Sequence, residues 1–199
     1  MDYESIAKKI IKLKNSDSAL RDKLIQSGKL SEGYNEEMKA LHNKNAKILN
    51  DIIDTIGYPT TEKVREKACE ATWLVIQHSI GQPEFMKKCA KLLENAVSEA
   101  KADPIKLVYI TDRIAVFEEQ PQLYGTQFDW DEKGNLSPNP FDDLHKVNER
   151  RKSIGLKTLE AQTAIMRRQA KNENQSPPAD FEKRKQEIEE WKKNIGWIK

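Results

Sequence analysis

The sequence predicts a mainly helical protein, built around buried central helices, with one short β-hairpin at about residues 122–138. Three observations point there. Apolar residues recur every three or four positions over most of the chain, two of the runs are apolar on nearly every side, and between Pro121 and Pro138 the period turns extended.

In chain order, Ile6, Ile10 and Leu13, then Leu20 and Leu24, predict two short amphipathic helices before Gly28. A longer helix is expected to open near Ser31. Its stripe is Tyr34, Met38, Leu41, Asn45, Leu49, Ile52 and Ile56, and Gly57 and Pro59 stop it. Thr60 or Thr61 can cap the next helix, whose Ala68–Ile76 run is apolar except at Glu70 and Thr72. That composition predicts a central helix, running into Gln77-His78-Ser79 and ending by Gly81.

Pro83 suits the first turn of a further helix, with Phe85, Met86, Ala90, Leu93 and Val97 on its apolar side. Asp103-Pro104 opens another, in which Asp112-Arg113 interrupts the apolar run. Gln122 to Trp130 reads as a first strand and Gly134 as the turn residue able to take positive φ. Helical patterns resume at Phe141–Ile154 and Thr158–Arg168, separated by Gly155. The expected organisation is a helical domain with hairpin over 1–171, a linker at 172–178 and a charged amphipathic helix at 179–199. On that last helix Phe181, Ile188, Trp191, Ile195 and Ile198 form a narrow stripe interrupted by Arg184.

Composition narrows the functions. The 34 Lys and Arg against 32 Asp and Glu leave a formal net charge of +2, which gives no electrostatic case for nucleic acid or for acidic membranes. No segment approaches the ~20 apolar residues of a membrane span, and the acidic start lacks a signal peptide's basic region. Cys69 and Cys89 are too few for a disulfide framework, which leads to the expectation of a reduced, cytoplasmic setting. His42, His78 and His145 stand far apart in sequence with no metal-ligand spacing, so no metal and no cofactor are expected. There is no phosphate loop and no nucleophile elbow.

Polar groups nevertheless fall where burial is predicted, in three stretches: Gln77-His78, Asp112-Arg113, and Gln122, Tyr124, Thr126 and Gln127 around Gly125. Buried polar groups need partners, so the economical arrangement is that they meet at one cleft. In that reading His78 is a general base and Asp112 its orienting carboxylate. Gln77, Arg113, Gln122, Tyr124, Gln127 and Arg150 bind the ligand, with Arg113 gripping an anion. Each has a structural alternative: His78 as a helix-terminal histidine, Asp112 and Arg113 as an ion pair fixing helix packing, and the hairpin amides as caps.

The residues also carry a resemblance. Gly57-Tyr58-Pro59, Gln77-His78, Tyr109-Ile110-Thr111-Asp112-Arg113 and Pro121-Gln122-Leu123-Tyr124-Gly125-Thr126-Gln127 occur in that order, followed by Val147–Arg151 and by Gly155-Leu156 with Leu159. Together they resemble a widespread bacterial family known only as a domain of unknown function, over roughly Tyr34 to Leu159. The resemblance implies a shared pocket and names no chemistry. Where that family often has an acidic residue shortly after the histidine, this chain has Ser79-Ile80-Gly81, and Tyr58 stands where Trp is commoner.

The expected function is therefore a polar pocket for a small molecule or peptide, serving a metal-independent hydrolase or transferase if the ligand is turned over. The alternative is an interaction module with a purely structural polar cluster, in which the C-terminal helix meets a second copy or another partner.

Overall fold

The computed structural model describes residues 1–27 and 35–199. The described residues form eight helices and one two-stranded antiparallel sheet, the mainly helical fold with a short hairpin that the patterning predicts. The chain divides into two compact units, Met1–Leu107 and Val108–Lys199.

In the first unit, α1 (Tyr3–Gln26) packs on α3 (Thr61–His78) and on α2 (Glu36–Ile56), and α2 also meets α3. One helix replaces the two short ones expected before Gly28. Between the two predicted stripes stand Asn15-Ser16-Asp17-Ser18, residues that favour turns and caps. The helix runs through because Ser16 Oγ donates back to the Lys12 carbonyl at 3.0 Å and Asp17 is buried against histidines of α2 and α3. Ile10, Leu13 and Leu24 fill the apolar side of α1.

Asn35 caps α2, its side chain accepting from the N–H groups of Glu37 and Met38. The start expected near Ser31, with Tyr34, lies outside the described residues. The α2 stripe buries Asn45, Leu49, Ile52 and Ile56 as predicted, and also His42, Ala46 and Ile53. Gly57 ends it at φ 72°. Helix α3 breaks helical geometry once, at Arg65 (φ 65°), and then buries Ala68, Cys69, Ala71, Thr72, Val75, Ile76 and Gln77. Helix α4 (Pro83–Ser98) opens on its proline, and α5 (Pro104–Phe117) starts where the Asp103 carboxylate accepts from the N–H of Ile105.

In the second unit, β1 (Phe128–Trp130) pairs with β2 (Leu136–Pro138), Asp129 standing opposite Ser137. The turn holds Gly134 at φ 73°, and Asp131 Oδ1 accepts from the N–H groups of Lys133 and Asn135. The hairpin is shorter than expected: apart from an isolated bridge between Gln122 and Phe141, residues 122–127 form a loop, in which the N–H groups of Leu123, Tyr124 and Thr126 turn inward to the Asp112 carboxylate. Helices α6 (Leu144–Ser153) and α7 (Leu159–Asn172) follow. Helix α8 (Phe181–Ile195) lies against Phe117, with Trp191 edge-on at 5.6 Å and Trp197, just past its end, stacked at 5.0 Å. Arg184, the break in its apolar stripe, pairs with Asp129 on β1.

No helix among the described residues is long and apolar enough to cross a membrane.

Candidate functional site

The first unit brings together three side chains from three helices: Asp17 of α1, His42 of α2 and His78 at the end of α3. His78 Nδ1 lies 2.7 Å from Asp17 Oδ2, and His42 Nε2 lies 3.4 Å from Asp17 Oδ1. The two imidazole rings are 5.2 Å apart, tilted by 38°. Asp17 and His42 are buried, while the His78 side chain keeps 31% of its surface exposed. Burial by itself would raise the Asp17 carboxyl. The close contacts and charge of His42 and His78 outweigh it and hold the group well below the ordinary carboxylate value.

The Asp17 contact engages Nδ1 of His78, and Nε2 is the other ring nitrogen of this part-exposed side chain. Beside His42, Asn43 Oδ1 accepts from Gln82 Nε2 at 3.1 Å, tying α2 to the turn after His78. Gly81 in that turn lets Asn43 approach, since a Cβ there would stand 3.1 Å from Asn43 Oδ1. Gln77 is buried next to His78 in sequence.

The other predicted residues lie in the second unit and form a different kind of structure. Asp112 is 1% exposed. Its Oδ1 accepts from the backbone N–H of Leu123 and Tyr124 at 3.0 and 3.2 Å, and its Oδ2 from Thr126 at 2.9 Å. Burial pushes the Asp112 carboxyl above its ordinary value, and the three N–H donors pull the other way. Gln122, fully buried, donates to the carbonyls of Gln127 and Asn139 and accepts from the N–H of Gln127.

Arg113 Nε donates to Gln127 Oε1 at 3.0 Å, and burial pushes its guanidinium down to about 10. Arg150 reaches the Leu123 carbonyl and Asp142, and buried Arg151 holds the carbonyls of Tyr124 and Lys157. Gly125, at φ 63°, closes the loop: a Cβ there would stand 2.8 Å from Leu159 Cδ1.

The carboxylate that orients His78 is thus Asp17, where the sequence pointed to Asp112. Asp112 clamps a loop because three amide donors within four consecutive residues, those of Leu123, Tyr124 and Thr126, close on it. A depression of about 640 Å³ lies in the second unit between the hairpin and α8, bordered by Trp130, Arg184 and Ile188. A smaller one adjoins α7. Neither is lined by any residue of the predicted site.

Residues 4–171 match the model of a family of unknown function, DUF6624. The chain belongs to that family. No curated protein and no solved structure matches it. The DUF6624 match takes in both polar clusters and stops before α8, so both belong to the family portion of the chain and α8 lies beyond it.

Sequence reasoning found His78 and missed Asp17 and His42. In this DUF6624 chain Asp17 sits four residues after Leu13 and seven before Leu24, on the stripe of α1, and His42 three before Asn45 on the stripe of α2. Each is a polar residue at a core position, which was the available signal. Reading α1 as two helices hid the first.

Proposed function

We propose that this DUF6624 protein binds a small polar molecule or peptide at the Asp17–His42–His78 cluster, where His78 acts as the general base of a hydrolysis or group transfer. The observation that carries this reading is the 2.7 Å contact between a buried carboxylate and a part-exposed imidazole. A carboxylate on Nδ1 selects the tautomer with its proton there, so that Nε2 presents a lone pair to water or to a substrate hydroxyl. As the proton moves to Nε2, Asp17 stabilises the imidazolium. Helix anchoring of all three groups supports the precision this requires.

The two buried free cysteines support a reducing, cytoplasmic setting for it.

Ring ¹⁵N NMR of the purified chain tests the premise: His78 is expected as the Nδ1–H tautomer, with its signals changed in Asp17→Asn. Turnover of a panel of nitrophenyl esters, amides and phosphoesters tests the chemistry, with loss in His78→Ala and a drop of about 100-fold or more in Asp17→Asn. An Nε2–H tautomer, or turnover indifferent to both substitutions, overturns the reading.

A further inference from the structure

We propose that Asp17, His42 and His78 together take up one divalent transition-metal ion of the zinc class. The inference rests on the reading of this cluster as the working centre and changes what supplies the base. In the metal-loaded state a metal-bound water replaces His78 Nε2 as the group that gives up or accepts the proton.

Geometry is the first support. One ligand atom from each residue lies within 4.8 Å of the other two. In a tetrahedral site with bonds of ~2.0–2.2 Å, donors stand ~3.3–3.5 Å apart. The 3.4 Å between Asp17 Oδ1 and His42 Nε2 already has that spacing, whereas the 2.7 Å contact of His78 is with the other oxygen, Oδ2, and would have to open. Side-chain rotation would have to close the rest.

Asp17 Oδ1 is the second support. It is buried and accepts no hydrogen bond from the described residues, with His42 Nε2 3.4 Å away. A carboxylate oxygen in that state costs free energy unless something positive meets it. A cation at Oδ1 would satisfy that oxygen and take His42 Nε2 as a second donor, while the His78 ring would move its proton from Nδ1 to Nε2 and coordinate through Nδ1. No net proton is released by that tautomer change.

The donor set then selects the metal. Two neutral imidazoles and one carboxylate suit zinc, iron(II), cobalt(II) or nickel(II), whereas calcium and magnesium prefer all-oxygen shells. With three protein donors, the fourth position is left for water on the side where His78 reaches the surface, the arrangement of catalytic rather than structural sites. Asp17 offsets one of the ion's two positive charges, and the remaining charge lowers the pKa of the bound water.

The experiment uses the full chain, freed of metal with chelator and titrated with zinc chloride or cobalt chloride. One equivalent is expected to bind, with a cobalt visible spectrum of low-coordinate nitrogen and oxygen ligation. Affinity is expected to fall about 100-fold or more in His42→Ala and Asp17→Asn, and to stay unchanged in His145→Ala, whose imidazole is exposed and outside the cluster. Should those variants misfold, ring ¹⁵N shifts of the unsubstituted chain give the answer: zinc must perturb His42 and His78 and leave His145 alone. Binding that His42→Ala does not weaken, or zinc shifts at His145 only, overturns the proposal. If no metal binds while the Nδ1–H tautomer and His78-dependent turnover are found, the metal inference falls and the acid–base reading stands. If one zinc binds at His42 and His78 but neither form turns anything over, the metal site stands and the reaction falls.

Discussion

Asp17 and Asp112 are both aspartates with 1% of their surface exposed, one in each unit, and they face opposite kinds of partner. Asp112 faces three backbone N–H groups, which cannot change their charge. Its environment lowers the cost of one buried negative charge and leaves nothing for a ligand to exchange with. Asp17 faces two imidazole side chains, those of His42 and His78. Burial wins at Asp112, whose carboxyl is pushed above its ordinary value, and the partners win at Asp17, whose carboxyl is held below it. Equal burial does not imply an equal role; what decides is whether the partner groups can titrate.

The sharpest test of the Asp112 side is its removal. Asp112→Ala strands the N–H groups of Leu123, Tyr124 and Thr126 inside the second unit. Unsatisfied buried donors cost roughly 1–3 kcal/mol each, so about 3 kcal/mol or more of stability should be lost. Asp112→Asn keeps one acceptor and should fall between. Urea unfolding measures both. A loss under about 1 kcal/mol for the alanine variant would show that the loop does not depend on its clamp.

The second test concerns Asp17 in the chelator-treated chain. Its folded value lies below the ordinary carboxylate value of 3.8. The charged carboxylate therefore stabilises the folded state fully above that ordinary value, and the contribution is lost as pH falls through the depressed folded one. Urea midpoints taken from about pH 5 down to about pH 2 should fall steeply in the unsubstituted chain and more gently in Asp17→Asn. Equally steep curves would mean that the carboxylate is not held by its histidines.

The two clusters also differed in how far they could be read from sequence. The string from Gln122 to Gln127 is contiguous, and its pairing with Asp112 spans at most 14 residues, so local polarity among apolar runs announced it. Its meaning was misjudged: an extended strand was expected, and the backbone instead curls to present donors inward. The other cluster joins positions 61 residues apart, from Asp17 to His78, with His42 between. Spacing rules for metal or catalytic motifs see only neighbours along the chain, and three helices converging on one point leave no such spacing. The signal that remained was a polar residue on each apolar stripe. Helix-and-hairpin composition was legible throughout because periodicity is local. The continuity of α1 was not, because a tertiary contact at Asp17 overrode the turn preference of Asn15 to Ser18.

A third aspartate supplies the smallest effect. Asp129 is paired with Arg184 of α8, both of its oxygens lying 3.0 Å from the guanidinium Nη2. Its partner is a permanent charge, but the two side chains are 34% and 37% exposed, so water competes on both sides. Asp129 Oδ1 also accepts from the N–H of Trp130 at 2.8 Å, and losing the arginine strands nothing. Arg184→Ala should therefore lower stability by no more than about 1 kcal/mol, a difference that ~1 M salt should erase. Helix α8 should stay in place, because Trp191 and Trp197 still rest on Phe117 and Lys192 still reaches the Val116 carbonyl. Amide exchange should quicken along α8 while the loop around Asp112 keeps its protection. A loss above about 2 kcal/mol would place this pair with the buried carboxylates, and partner chemistry would then outrank exposure in setting what an aspartate contributes here.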